Sequence, residues 1–158
     1  MAAPGDVLML EAGTLHAIGA GAFVYEIEQP PDLTFRISDW GRPPIPGRTL
    51  HLEESLRAVR PEAHAIPAGR DWHLQDGELS VREFRLEIEH LRGPLTRRPA
   101  GRSLDVVTVV GGSMRATGDG WVEALELWDT IVIPASVAEY QLDGPEGSMA
   151  CVGSIPSK

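Results

Sequence analysis

GDVLMLEAGTLH at residues 5–16 and WDTIVIPASVAE at residues 128–139 align without a gap. Each stretch opens on a turn carrying an aspartate (Asp6, Asp129), runs through four strand-like residues, turns again at an alanine and a small residue, and ends on a polar side chain, His16 or Glu139. A short apolar run fenced by Gly, Asp and Ala on both sides reads as a strand, being too short for a helix. A hairpin that recurs within one chain predicts two related β units.

Working outward from the first copy, Gly19 and Gly21 turn the chain into residues 22–28, where Phe23, Tyr25 and Ile27 alternate with Val24, Glu26 and Glu28. That period of two predicts a half-buried strand beside the first, with His16 on the connecting loop. LTFRI at 33–37 predicts a third strand. Residues 41–49 hold three prolines and two glycines and form no regular element, because proline lacks a donor and fixes φ. Leu52, Leu56 and Val59 behind Glu53 and Glu54 predict a short helix over 52–59. A second linker runs past Pro61 and Pro67. Alternation returns at 78–89, slipping between Val81 and Phe84 in a manner that predicts a bulge. Further strands are expected at 105–110, 113–117, 121–127, 130–133, 139–142 and 149–154, an all-β sandwich or barrel.

Composition narrows the function classes. The 158 residues suit one ordinary domain or two small ones, and 42% apolar with 23% charged residues is a globular balance. Net charge is −9, so the average field repels nucleic acid and anionic lipid. No apolar run approaches a membrane span, and the N-terminal residues have no basic flank, so a cytoplasmic protein without a membrane partner is expected. The single cysteine, Cys151, excludes an internal disulfide and a CxxC metal site. Metal ligands would come from carboxylates and from His16, His51, His64, His73 and His90.

The first copy of the hairpin matches the second motif of the cupin superfamily, Gly, five residues, Pro, any residue, Gly, two residues, His, whose final histidine ligates a metal at the mouth of a small jelly-roll barrel. Gly5, Gly13 and His16 hold, and Glu11 replaces the proline. In the second copy Pro134 holds while Ser136 and Glu139 replace the glycine and the histidine. Together with Glu26, Asp32, FRISDWGR at 35–42 and Leu50-His51-Leu52, AGTLHAIGAG at 12–21 resembles the type I mannose-6-phosphate isomerases. The resemblance is dense over 5–58 and looser beyond, where that family carries a second, degenerate cupin.

The resemblance implies an all-β fold of cupin/jelly-roll type: the C-terminal part of a truncated catalytic cupin over 1–41, a Pro-rich linker with a short helix over 42–66, and a degenerate, metal-less cupin barrel over 67–158. It implies His16 as a zinc ligand, Glu26 as a pocket carboxylate and Arg36 as the residue that assists proton transfer or binds substrate. The implied reaction interconverts mannose 6-phosphate and fructose 6-phosphate, with zinc as cofactor and a sugar phosphate as substrate. The family's QxH ligand segment has no counterpart here, so the chain resembles the C-terminal half of such an enzyme. One imidazole is a weak zinc site, since catalytic zinc takes about three protein ligands. A homodimer or a strand-swapped partner completing the first barrel is therefore expected. The alternative is a non-catalytic sugar-binding or regulatory cupin module.

Plainer roles stand beside these. His16 could cap a turn, Glu26 and Arg36 could pair with each other, and Asp32 and Asp39 could fix turns. His51 suits helix capping as well as chemistry. Trp40, Trp72, Trp121 and Trp128 suit packing, and Arg97, Arg98 and Arg102 suit a solvated loop that could also meet phosphate.

Overall fold

A computed structural model describes residues 3, 6–29, 33–63, 65–67, 77–99 and 103–156. Asp32, His64, Trp72, His73 and Arg102 lie outside the described residues. The chain divides into two compact units, residues 1–71 and 72–158. Among the described residues no helix is long and apolar enough to cross a membrane.

The first unit holds β1 (Leu8–Met9), α1 (Leu52–Ala58) and β2 (Ile66–Pro67), with β1 and β2 antiparallel. The strand expected at 7–10 is thus present but short. Among the described residues those expected at 22–28 and 33–37 do not form ladder strands. A strand exists through its cross-strand hydrogen bonds, and alternation alone does not supply a neighbour. The helix forms where expected, with Glu53 and Glu54 in its first turn. Its apolar positions do not form a core, however: Leu52 and Leu56 are exposed, and Ser55 is the helix residue that is buried.

The second unit is a two-sheet jelly roll. One sheet has the order β3 (Glu78–Ser80), β4 (Arg85–His90), β11 (Met149–Ser154), β6 (Asp105–Gly111), β9 (Thr130–Ile133). The other runs β5 (Leu95–Arg97), β10 (Tyr140–Asp143), β7 (Met114–Gly118), β8 (Trp121–Leu125). Every pairing is antiparallel. The slip at 81–84 is a turn and not a bulge: the Val81 N–H donates to Phe84 O at 2.9 Å, and β3 folds back on β4. The pattern misleads because both arms of a hairpin alternate. The irregularity in this sheet falls instead between Met149 and Ala150.

The core lies between the sheets, built from Val107, Val109, Ala150 and Val152 of one and Met114, Ala116, Tyr140 and Leu142 of the other. Each large side chain fully buried there contributes about 1.5–3 kcal/mol. Asp105 shares the inward face with Val107 and Val109, two and four residues on. In register, Glu87 lies beside Val152 and Val107, on that same face. Arg97, in register with Tyr140, crosses from the opposite sheet to meet them. Its guanidinium reaches Glu87 Oε2 at 2.6 Å, Glu89 Oε1, and Asp105 Oδ2 at 3.4 Å. The Tyr140 hydroxyl donates to Asp105 Oδ2 at 2.8 Å. Burial works against the Arg97 charge, but the Glu87 hydrogen bond and the acids around it more than offset this and tighten its hold on the proton. The solvated loop expected for Arg97 is therefore wrong. Arg97 ends an edge strand and clasps the two sheets from inside. Arg98 faces out and pairs with Glu139 at 2.5 Å.

Trp121 covers Gly118 so closely that a Cβ there would sit 2.3 Å from the indole. Trp40 and Trp128, by contrast, are exposed and both have positive φ, 56° and 75°. Trp128 takes the place in the hairpin repeat that Gly5 holds in the first copy, which places a bulky residue in the left-handed region.

Candidate functional site

The chemistry-bearing residues of the first unit hang on a few backbone devices. Gly13 has φ +92°, and the Thr14 N–H donates to Glu11 O at 3.0 Å, so 11–14 is a tight turn. The end of α1 packs directly on it: the Arg60 N–H donates to Gly13 O at 3.0 Å, and a Cβ on Gly13 would lie 2.8 Å from Ala58 O and 2.9 Å from Arg60 Cγ. Only glycine satisfies both the handedness and the space. This turn aims the following residues outward. His16 is exposed, and its Nδ1 donates to Thr14 O at 3.0 Å. With that tautomer Nε2 carries a free lone pair facing solvent, the arrangement of imidazoles that ligate metals, whose other nitrogen is held by a carbonyl or carboxylate.

Arg36 and His51 are joined through the backbone. The Arg36 N–H donates to His51 Nδ1 at 3.2 Å, and the His51 N–H donates to Arg36 O at 2.8 Å. The His51 ring also meets Phe35, with centroids 6.0 Å apart. His51 starts α1 but makes no side-chain cap, because its ring nitrogen is spent on residue 36. Asp39 does more than fix a turn: Arg48 donates to it through Nε at 2.9 and 2.8 Å and through NH2 at 2.7 Å. That hydrogen bonding, aided by the charges of Arg48, Arg42 and Arg36 against the cost of burial, holds the Asp39 carboxyl below the usual carboxylate range. Nothing in the spacing of Arg48, inside a Pro/Gly-rich stretch, marks it as this clasp.

Glu26 is exposed on the segment leading away from His16. Among the described residues no ion pair joins it to Arg36, and the guanidinium of Arg36 acts on Asp39 instead. His16, Glu26 and Arg36 all belong to the first unit, and among the described residues no group of three His, Cys, Asp or Glu side chains is close enough to hold a metal ion. The described residues therefore offer zinc one prepared imidazole nitrogen and do not make a zinc site by themselves.

Two antiparallel sheets enclosing a core define the second unit as a cupin-type β fold, and the repeat read as a hairpin is one in neither copy, since β1 pairs with β2 and β9 and β10 lie in different sheets. The mannose 6-phosphate isomerase of Bacillus subtilis superposes on 77% of this chain and 40% of its own length, with a TM-score of 0.54 at 16% identity. In sequence the chain is 31% identical over 149 residues to a mannose-6-phosphate isomerase of Streptococcus mutans and 27% identical over 149 residues to mannose-6-phosphate isomerase ManA of Bacillus subtilis, in each case over 89% of this chain. The chain is thus similar in sequence to mannose-6-phosphate isomerases and shares their cupin-type fold. The chain spans about half the length of these curated relatives, 46% and 47%. No family model matches it.

Proposed function

We propose that the chain serves the aldose–ketose isomerisation that interconverts mannose 6-phosphate and fructose 6-phosphate in the cytoplasm. The observation that carries this reading is His16, held by Thr14 O with Nε2 outward, in a chain that matches mannose-6-phosphate isomerases along 89% of its length. In this reading Glu26 moves the proton between C2 and C1 of the open-chain sugar. Arg36 faces the oxyanion that develops as the proton leaves. His51 is a positioning residue that sets the backbone of Arg36. The zinc of the related enzymes would need ligands beyond those described here.

A second reading, a non-catalytic sugar-binding cupin, is favoured by the absence of a three-ligand group among the described residues. The test is fructose 6-phosphate formation from mannose 6-phosphate with zinc supplied, measured for wild type and His16→Ala. Turnover that is lost in His16→Ala supports the isomerase. Calorimetric binding of mannose 6-phosphate without turnover, unchanged by His16→Ala, replaces it with the second reading.

A further inference from the structure

The charges of the five-stranded sheet all point one way. Register sets Leu79, Leu86, Gly153, Val106 and Val132 in one row across β3, β4, β11, β6 and β9, and Ile88, Cys151, Thr108 and Thr130 in the next. These positions alternate with Val107, Val109, Ala150 and Val152 of the core, so they form the outer face. The acidic and basic residues of the same strands, Glu78, Arg85, Glu87, Glu89 and Asp105, all stand on inward positions. The two outer rows therefore hold no Asp, Glu, Lys or Arg. Their inner stretch, Leu79, Leu86, Cys151 and Thr108, is buried, but at β9 they meet solvent: Thr130 is exposed and Val132 is 55% exposed. β9 ends the sheet, and among the described residues no strand lies beyond it. The Val109 N–H donates to Asp129 O at 3.0 Å. By the alternation of an antiparallel ladder Ile131 and Ile133 also turn to β6, and Thr130 and Val132 turn their N–H and C=O groups to the open side. The other edge strands of this unit carry charge, Glu78 on β3, Arg97 on β5 and Glu123 on β8, which guards an open edge against further pairing. Thr130-Ile131-Val132-Ile133 carries none. Just ahead of it Trp128 is 48% exposed with φ 75°, where glycine would sit without strain.

We propose that β9 is the interface between two copies of this chain, pairing with itself about a two-fold axis at Ile131 so that the two five-stranded sheets become one continuous sheet. A two-fold interface sets each patch against itself, so any charge on it meets its like. A chain of net charge −9 repels its copy over most of its surface, and an uncharged face ending in an unguarded edge is where two copies meet without that repulsion. An acidic or basic partner finds no counter-charge there. The geometry agrees. Thr130 exchanges N–H···O bonds with the copy's Val132, and Val132 with the copy's Thr130, in the antiparallel sense that the rest of this sheet uses. Asp129 falls opposite the copy's Ile133, roughly 14 Å along the strand from the copy's Asp129. That exceeds the Debye length of about 10 Å at 0.1 M salt, so the two carboxylates do not oppose the pairing. Pro134, without an N–H, ends the ladder opposite the copy's Trp128. Val132 and its β6 neighbour Val106 then meet their counterparts as one apolar strip, and the exposed, strained Trp128 gains a surface to cover it.

The experiment uses the full chain, with sedimentation equilibrium and amide exchange followed against protein concentration. A monomer–dimer equilibrium is expected. Exchange at Thr130 and Val132 slows as the dimer fills, while Ile131 and Ile133, already bonded to β6, are protected at every concentration. Val132→Lys raises the dissociation constant roughly a hundredfold, about tenfold for each valine left unburied, counted once in each copy. Trp128→Gly separates interface from fold: it relieves the backbone strain and leaves the urea midpoint of the monomer no lower, yet weakens the dimer by roughly tenfold or more. Val122→Lys, at an exposed position of the edge strand β8, leaves the dimer unchanged. A chain that stays monomeric up to about 1 mM overturns the proposal. So does a dimer indifferent to both Val132→Lys and Trp128→Gly, which shows that another face associates; because Trp128→Gly keeps the fold, this outcome is readable even where Val132→Lys perturbs it. Full protection of Thr130 and Val132 in the dilute monomer also overturns the proposal, since a segment of the same chain then occupies the edge.

Discussion

Replacing Gly13 by alanine should loosen the loop that carries His16, and the structure separates the two causes. The first is handedness: at φ +92° an L-residue bears roughly 1–2 kcal/mol of strain. The second is space, because the new Cβ would meet the Ala58 carbonyl oxygen at 2.8 Å and Arg60 Cγ at 2.9 Å. The arginine stem can swing aside, whereas the carbonyl belongs to the end of α1 and moves only with the helix, at a cost of about 1–3 kcal/mol for overpacking. Alanine also narrows the unfolded ensemble, which returns about 0.4–1 kcal/mol. The net loss for Gly13→Ala is then about 2–3 kcal/mol. Gly21 is the control: its φ is +79°, and a Cβ there meets nothing within 4 Å, so Gly21→Ala carries the strain without the collision. Its net loss is about 1 kcal/mol by the same terms. Amide exchange at Ser55, Val59 and Arg60, whose N–H groups bond to His51 O, Ser55 O and Gly13 O, reads the effect where it occurs. Exchange there should accelerate roughly tenfold or more in Gly13→Ala and stay near wild type in Gly21→Ala. Equal acceleration in both, or none in Gly13→Ala, would show that the helix end does not lean on this turn.

Four further outcomes follow from the second unit and the Asp39 clasp. Arg97→Met should cost about 3–5 kcal/mol in urea unfolding, since it leaves Glu87, Glu89 and Asp105 facing one another without their shared cation; recovery of half or more on adding Glu87→Gln and Glu89→Gln checks the cause. Tyr140→Phe should cost about 1–2 kcal/mol through the lost bond to Asp105, and a neutral result would refute the role given to that hydroxyl. Burial pushes the Cys151 thiol up to about 11 from 9.0, so above pH 9 the unfolded chain ionises first and stability falls by about 2–3 kcal/mol by pH 11, and Ellman's reagent should label Cys151 only as the second unit unfolds. For Asp39 the sign is opposite: its lowered carboxyl stabilises at neutral pH and loses that contribution as pH falls through and below 3.8, so acid should raise exchange at the Arg48 amide in wild type and much less in Asp39→Asn.

The second unit was legible because its strands carry their own evidence: alternation meets partners in the same stretch of chain, and the order of turns leaves few ways to pair them. What misled was local. At Val81–Phe84 a turn looks like a bulge because pleating continues on both arms, and Arg97 looks like a loop cation because a short edge strand after Gly93-Pro94 leaves too few residues for a period to appear. The clasp between the sheets was therefore invisible, since it depends on which face Glu87 and Asp105 take, and that is settled by register with Val152 and Val107 rather than by sequence neighbours.

The first unit inverts this relation. Its residues were the more telling as a pattern and the less telling as a structure: Gly13 sits in a tight turn with His16 two residues beyond its end, while Ile27, Leu33 and Ile37 alternate as strand residues do and yet, among the described residues, join no sheet. Alternation records the surroundings in which a segment is at its lowest free energy, not the ones present in a given chain. Which neighbour a patterned segment takes is settled by register and by the strand that pairs with it, and a period of two, being the same for every partner, carries neither.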